Sequence, residues 1–130
     1  MPPPWPQHPA PAYASLNLAS GDITTTSTSF VAVTGVTVTV ELRGGRPVLI
    51  VTTGICHNST VGAYTEWDFA IDGSRLGATE GLTRVKHGTN AQDTNGSFSY
   101  LTSALNAGKR VFALYWKVTA GTGTCYANSL

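Results

Sequence analysis

The alternation of side-chain character along this chain predicts an all-β protein, a two-sheet β-sandwich or jelly roll of about eight antiparallel strands, preceded by an extended proline-rich arm. Three observations carry that expectation. From residue 24 onward apolar and polar residues alternate with a period of two rather than 3.6. Turn signals such as Gly44-Gly45, Asp72-Gly73 and Asn106-Ala-Gly108 separate the alternating runs. Six of the seven prolines fall within the first twelve residues.

Proline lacks a backbone N–H and fixes φ, so a stretch with proline at every one to three positions holds neither helix nor ladder hydrogen bonds. Residues 1–22 are therefore read as a polyproline II arm and residues 23–130 as one domain. Such an arm is an attachment device. Pro2, Pro3, Pro4, Trp5, Pro6, Pro9, Pro11 and Tyr13 are its candidate partner-binding residues, with Trp5 and Tyr13 as anchors along a partner's surface. Pro6-Gln-His-Pro9 also has the form of a PxxP ligand, and a solvated tail is the plainest alternative. The prolines interrupt any apolar run of secretory-signal length, so no such signal is expected here.

The strands follow in order. Residues 27–33 form the first. Val36, Val38, Val40 and Leu42 then alternate with Thr37, Thr39, Glu41 and Arg43, a half-buried strand. Residues 47–51, apolar on both faces and running on toward Cys56, are expected as a central strand. Trp67, Phe69 and Ile71 alternate with Glu66, Asp68 and Ala70, which puts the carboxylates on a solvent face, and the strand closes at the hairpin dipeptide Asp72-Gly73. Residues 75–78 begin the return. Residues 82–87 and 97–101 are weaker strands on either side of a polar loop, 88–96. Residues 110–118 are apolar on both faces, and 124–128 close the domain. No segment has helical periodicity.

Charged residues make up 12% of the chain and the net charge is +1. The eight basic residues are scattered among seven acidic ones, without the basic face that displaces counterions from phosphates, so a nucleic-acid partner is not expected. The apolar clusters are too short to span a bilayer, so no membrane partner is expected either. Cys56 and Cys125 permit one disulfide across a long loop, worth about 4 kcal/mol in the chain-entropy picture, or stand as two buried thiols. Cys56-His57 with one distant cysteine lacks zinc-site spacing, and no metal or cofactor is expected.

Residues 26–33 (TSTSFVAV), 36–40 (VTVTV), 46–50 (RPVLI), 69–73 (FAIDG), 105–108 (LNAG) and 111–116 (VFALYW), followed by a Gly-Thr-rich hairpin, resemble in their order the small trimeric jelly-roll modules of bacteriophage virions. That group comprises capsid decoration proteins, head fibres and tail-fibre tips. The resemblance covers residues 24–130 and leaves out the arm. It implies a homotrimer and a structural virion protein on the capsid surface or tail, assembled in the host cytoplasm. The arm would then grip the major capsid protein or another virion protein. A short chain whose arm leads directly into its head favours capsid decoration over a fibre tip.

Chemistry is sparse. No nucleophile with a base, nucleotide loop or metal cluster stands out, so a non-enzymatic role is expected. His8, His57 and His87 each sit near a turn or in the arm and are read as surface residues. Glu66, Asp68 and Asp72 on one strand face offer oxygen ligands for calcium, though a solvated face explains them equally. Asn58-Ser-Thr60 and Asn95-Gly-Ser97 fit the glycosylation sequon and are read as exposed loops. The alternative function is a receptor- or glycan-binding module, with Tyr64, Trp67 and the loop 88–96 as the sugar site.

Overall fold

The structure, a computed structural model, describes residues 2, 12–17, 21–88 and 93–126. The described residues are all-β, with no helix and with every strand pair antiparallel. Eleven strands are present: β1 Ile23–Thr25, β2 Val31–Leu42, β3 Leu49–Thr52, β4 Ile55–Asn58, β5 Tyr64–Ile71, β6 Ser74–Arg75, β7 Thr83–Lys86, β8 Thr94–Asn95, β9 Phe98–Leu101, β10 Gly108–Val118 and β11 Gly123–Cys125. They form three sheets. One has the order β1-β11-β4-β8, one has β2-β10-β5-β6 with β7 also on β5, and one is the pair β3-β9.

A single register runs through all three sheets. Leu42 faces Gly108, Leu49 faces Leu101, Thr52 faces Phe98 and Cys56 faces Thr94. Each step forward on one chain segment is matched by an equal step back on the other, with a one-residue offset only at the Arg46–Leu105 bridge. The segments 37–56 and 94–113 are thus one antiparallel ribbon that turns two corners. The first corner follows Gly44 and Gly45, both at positive φ. The second falls at Gly54, whose carbonyl accepts from Gly96 N at 2.8 Å. Because strand side chains have a period of two, an unslipped register keeps one face of the ribbon inward along its whole course.

The inward face makes the core. Val33, Cys56, Trp67, Phe69, Leu114, Trp116 and Cys125 form one buried cluster, with Ile50, Phe98 and Tyr100 packed against it. Trp67 and Trp116 are cross-strand partners whose rings stack 5.3 Å apart. Phe69 of β5 stacks on Phe98 of β9 at 4.5 Å, tying two sheets together. Gly81 lies at φ +79 with its missing Cβ 2.4 Å from the Trp67 carbonyl oxygen, so no larger residue fits there.

Several expectations are corrected. Residues 27–33 and 36–43 are not two strands. They merge into β2, because a bulge opposite residues 113–115, with Gly35 at positive φ, absorbs the change of phase. Residues 47–51 are not a central strand. β3 is an edge, paired only to β9, and Leu49 and Val51 are 63% and 62% exposed. The buried centre is β5, flanked by β10 on one side and by β6 and β7 on the other. The loop 88–96 contains β8, and its residues 89–92 lie outside the described residues.

The Trp67–Trp116 stack should dominate stability. Trp116→Ala is expected to cost about 3–5 kcal/mol in urea unfolding. A loss under about 1 kcal/mol, within the range of an ordinary surface substitution, would show that the stack does not organise the core.

Candidate functional site

The carboxylate face of β5 is the first candidate, and the structure buries it. Glu66 is 3% exposed and Asp68 fully buried, because residues of the β6–β7 region and Phe30 cover this side of the strand. Each carboxylate has its own cation. Lys117 Nζ lies 2.9 Å from Glu66 Oε2, Arg75 Nε donates to Asp68 Oδ2 at 2.8 Å, and Arg110 Nη1 donates to Asp72 Oδ2 at 3.1 Å. Asp68 Oδ1 accepts from Gly77 N at 2.9 Å as well. The Phe30 ring lies between Arg75, 3.8 Å from its centroid, and Lys117, at 4.9 Å. The solvated polar face read from alternation is therefore a buried ion-pair layer at Glu66 and Asp68, while Asp72 and Arg110 pair at the surface. Among the described residues no group of three His, Cys, Asp or Glu is placed to hold a metal ion. Asp72, at φ 51 in the β5–β6 hairpin, also accepts from Val111 N at 2.9 Å; that bond, then Arg110, holds its carboxyl below the usual range.

The sugar-site residues do not form a platform. Trp67 is 2% exposed inside the core, and the Tyr64 ring is covered by the Arg84 guanidinium 3.8 Å from its centroid. Arg84 is held in turn by Glu80 at 2.7 Å. His87, read as a surface residue, is fully buried, with Nε2 2.8 Å from Thr65 Oγ1. His57 lies beside Asp93, 3.6 Å away. His8 is outside the described residues. Asn58 is also buried rather than in an exposed loop: its Nδ2 donates to Ala120 O and its Oδ1 accepts from Thr60 N, so the sequon is occupied by the fold. Asn95 is exposed as expected.

Cys56 and Cys125 face each other across the β4–β11 ladder, both buried and both free thiols. Tyr126 N donates to Ile55 O, so the neighbouring pair is the hydrogen-bonded one and the two cysteines occupy the position where opposed side chains are closest. Burial pushes the Cys56 thiol up to about 11, partly offset by the Trp67 indole beside it. Burial raises Cys125 further.

The remaining candidate is a groove of about 330 Å³ between the free edges of β2 and β3. Its walls are Val36, Val38, Val40 and Leu42 of β2 and residues 48–53, and its floor is Phe69, Phe112 and Leu114. Residues 12–16 of the arm lie along it. Tyr13 nevertheless points outward, 86% exposed, and Leu16 is 45% exposed. On the outer side of the same edge, Leu49, Val51 and Leu101 form an exposed apolar face, and no charged residue occurs in 47–53 or 97–104. Of the arm residues read as partner-binding, Pro2 is exposed and Tyr13 is placed as described, whereas Pro3, Pro4, Trp5, Pro6, Pro9 and Pro11 lie outside the described residues. Sequence reasoning missed the groove and the outer β3 face. The signal was the two-sided apolar run 48–51, which fits an edge strand with an apolar outer face as well as it fits a central one.

Comparison with known proteins gives no match to any family model, curated protein or solved structure.

Two outcomes follow from this geometry. Arg75→Met leaves Asp68 buried without its cation and is expected to cost about 3–5 kcal/mol, measured by denaturant unfolding at neutral pH; a change within about 0.5 kcal/mol, the range of an ordinary surface substitution, would contradict a buried pair. The folded-state thiols are raised above their unfolded values, so their contribution is complete below about pH 9 and is lost as pH rises through about 11. Under reducing conditions, unfolding free energy should fall over that window, and Cys125→Ala should make the fall shallower. An unchanged slope would contradict the burial of the thiols.

Proposed function

We propose that the chain is a structural protein of a bacteriophage virion, a trimeric jelly-roll decoration or accessory protein held on the particle by its N-terminal arm. The observation that carries this reading is the combination, at one edge of the domain, of an aromatic-bearing arm and an uncharged apolar strand face. Tyr13 stands out on a segment without ladder hydrogen bonds, and Leu49, Val51 and Leu101 are exposed a short way off on β3 and β9. An exposed apolar face of this kind favours burial against another protein surface. An uncharged face is compatible with a second copy of itself, because no like charges meet across a symmetric contact.

The folded ribbon supports the jelly-roll part of the reading. A long hairpin-like ribbon bent over so that its two ends contribute to different sheets is the layout by which a jelly roll encloses its core. Here β2 and β10 contribute to one sheet and β4 and β8 to another, with β3 and β9 at the bend. Glu66, Asp68 and Asp72 are paired with cations of the same chain and both thiols are buried in the core, which suits a rigid module better than a reaction centre. The low share of charged residues, with Ser, Thr, Asn and Gly in their place, suits an assembly component that contacts neighbours over much of its surface. The glycan-recognition alternative has no comparable support, since Trp67 is in the core and Tyr64 is covered.

Two variants of the full chain separate anchoring from assembly. Tyr13→Ala combined with Trp5→Ala is expected to abolish co-sedimentation with capsids lacking the protein, while the purified chain still sediments as a trimer. Leu101→Lys is expected to turn the trimer into monomers. Retention on capsids by the doubly substituted arm would overturn the anchoring role, and a wild-type chain that sediments as a monomer at all concentrations would overturn the trimer.

A further inference from the structure

The groove beneath residues 12–16 is a poor place for water. Its volume is about 330 Å³, and the side chains of Val38, Val40, Phe112 and Leu114 in its lining offer water no hydrogen bonds. Protein interiors are otherwise filled to crystal-like density. Among the described residues β2 pairs only with β10 and β3 only with β9, so no described strand closes the slot. The arm roofs it, yet the arm's own aromatic in this stretch, Tyr13, is turned to solvent.

We propose that the groove is the resting site of Trp5: in the free protein, the proline-rich segment of the same chain folds back and seats the Trp5 indole between β2 and β3. Attachment to the particle then draws that side chain out, so the groove and the particle compete for one arm. This second step rests on the anchoring reading given above. The seating of Trp5 does not.

Reach, chemistry and economy select this occupant. Trp5 precedes Ala12 by seven residues, about 22 Å in polyproline II at ~3.1 Å per residue. The β2 wall from Val36 to Leu42 is about 20 Å long at ~3.3 Å per residue, so the indole can reach any point along it. Residues 1–21 contain no charged side chain, so none has to leave water when the segment docks. Among residues 1–11 Trp5 is the one aromatic, and a Trp ring buries a large apolar area. Its neighbours Pro4 and Pro6 have no N–H to leave unsatisfied against an apolar wall, and their stiffness lowers the entropy lost on docking. Because residues 12–16 of the same chain already line the slot, the segment just before them is the nearest available occupant.

The test is made on the full chain by fluorescence, with Trp5→Phe subtracted from wild type to isolate the Trp5 emission from Trp67 and Trp116. The difference spectrum is expected to be blue-shifted and several-fold less quenched by acrylamide than free tryptophan, independent of protein dilution. Trp5→Ala should raise binding of the apolar dye ANS several-fold, while the near-ultraviolet circular dichroism of the stacked Trp67–Trp116 pair stays unchanged and shows the domain folded. Val38→Trp, which fills the slot, should shift the Trp5 signal to that of a solvated indole. A water-like Trp5 emission in the wild type overturns the proposal. So does protection that is lost on dilution, which would assign the slot to the arm of a second copy, and so does protection with no ANS response in Trp5→Ala, which would place the indole elsewhere. Loss of capsid binding by Trp5→Ala together with a solvated Trp5 in the free chain would keep the anchoring role and reject the resting site.

Discussion

The rest of the molecule depends on the register shared by β2–β10, β3–β9 and β4–β8 between residues 37–56 and 94–113. Two strands that stay in phase through two corners deliver the same face inward in three successive sheets, and that shared face is the core. A slip of one residue anywhere along the ribbon would turn Ile50, Phe98 and Cys56 outward and expose the Phe69–Phe98 stack. The glycines at the first corner matter for this reason: Gly44 and Gly45, both at positive φ, let the backbone turn there.

Within that frame the middle of the domain is filled by β5 and β10, and the two sides of β5 are treated differently. One side carries Trp67, Phe69 and the apolar cluster. The other carries Glu66 and Asp68, which are removed from water and paired with cations that arrive from β10 and from β6. Buried pairs of this kind add little net stability when intact and cost a great deal when broken. Their effect is to fix which residues may cover that side of β5, since only an arrangement that brings Arg75 and Lys117 to those two carboxylates, with Phe30 between the cations, leaves no charge alone.

Much of the architecture was legible in the residues. The alternation at 36–43 and 66–71 and the Asp72-Gly73 turn each describe a local geometry that nothing distant overrides. What was not legible depends on tertiary partners. Glu66 and Asp68 look like solvent-facing residues because a charge in a strand usually is one, and their partners come from other strands. His87 looks like a loop residue because the burial around Thr65 is made by chain segments far away in sequence. Residues 47–51 look central because both faces are apolar, and only the pairing pattern reveals a free edge with an apolar outer side. These three misreadings share one cause: burial is a property of the assembled sheets, and a single strand's pattern reports it only when one face is clearly wet. The exposed face of β3 and the groove beside it, which concern the proposed partners most, were therefore hidden in the sequence.

The groove and the apolar edge lie where the ribbon bends, with β2 and β3 as edge strands that no other described strand joins. That geometry is open to direct measurement by nuclear Overhauser contacts between opposed Hα protons, which are strongest at positions where the facing residues do not exchange hydrogen bonds. An unslipped ribbon predicts strong Hα–Hα contacts for Leu49 with Leu101, Val51 with Ser99 and Ile55 with Asn95 in the same sample. Contacts displaced by one residue on either side of a corner, such as Ile55 with Thr94 while Leu49 still meets Leu101, would show that the register breaks at the bend and would contradict the account.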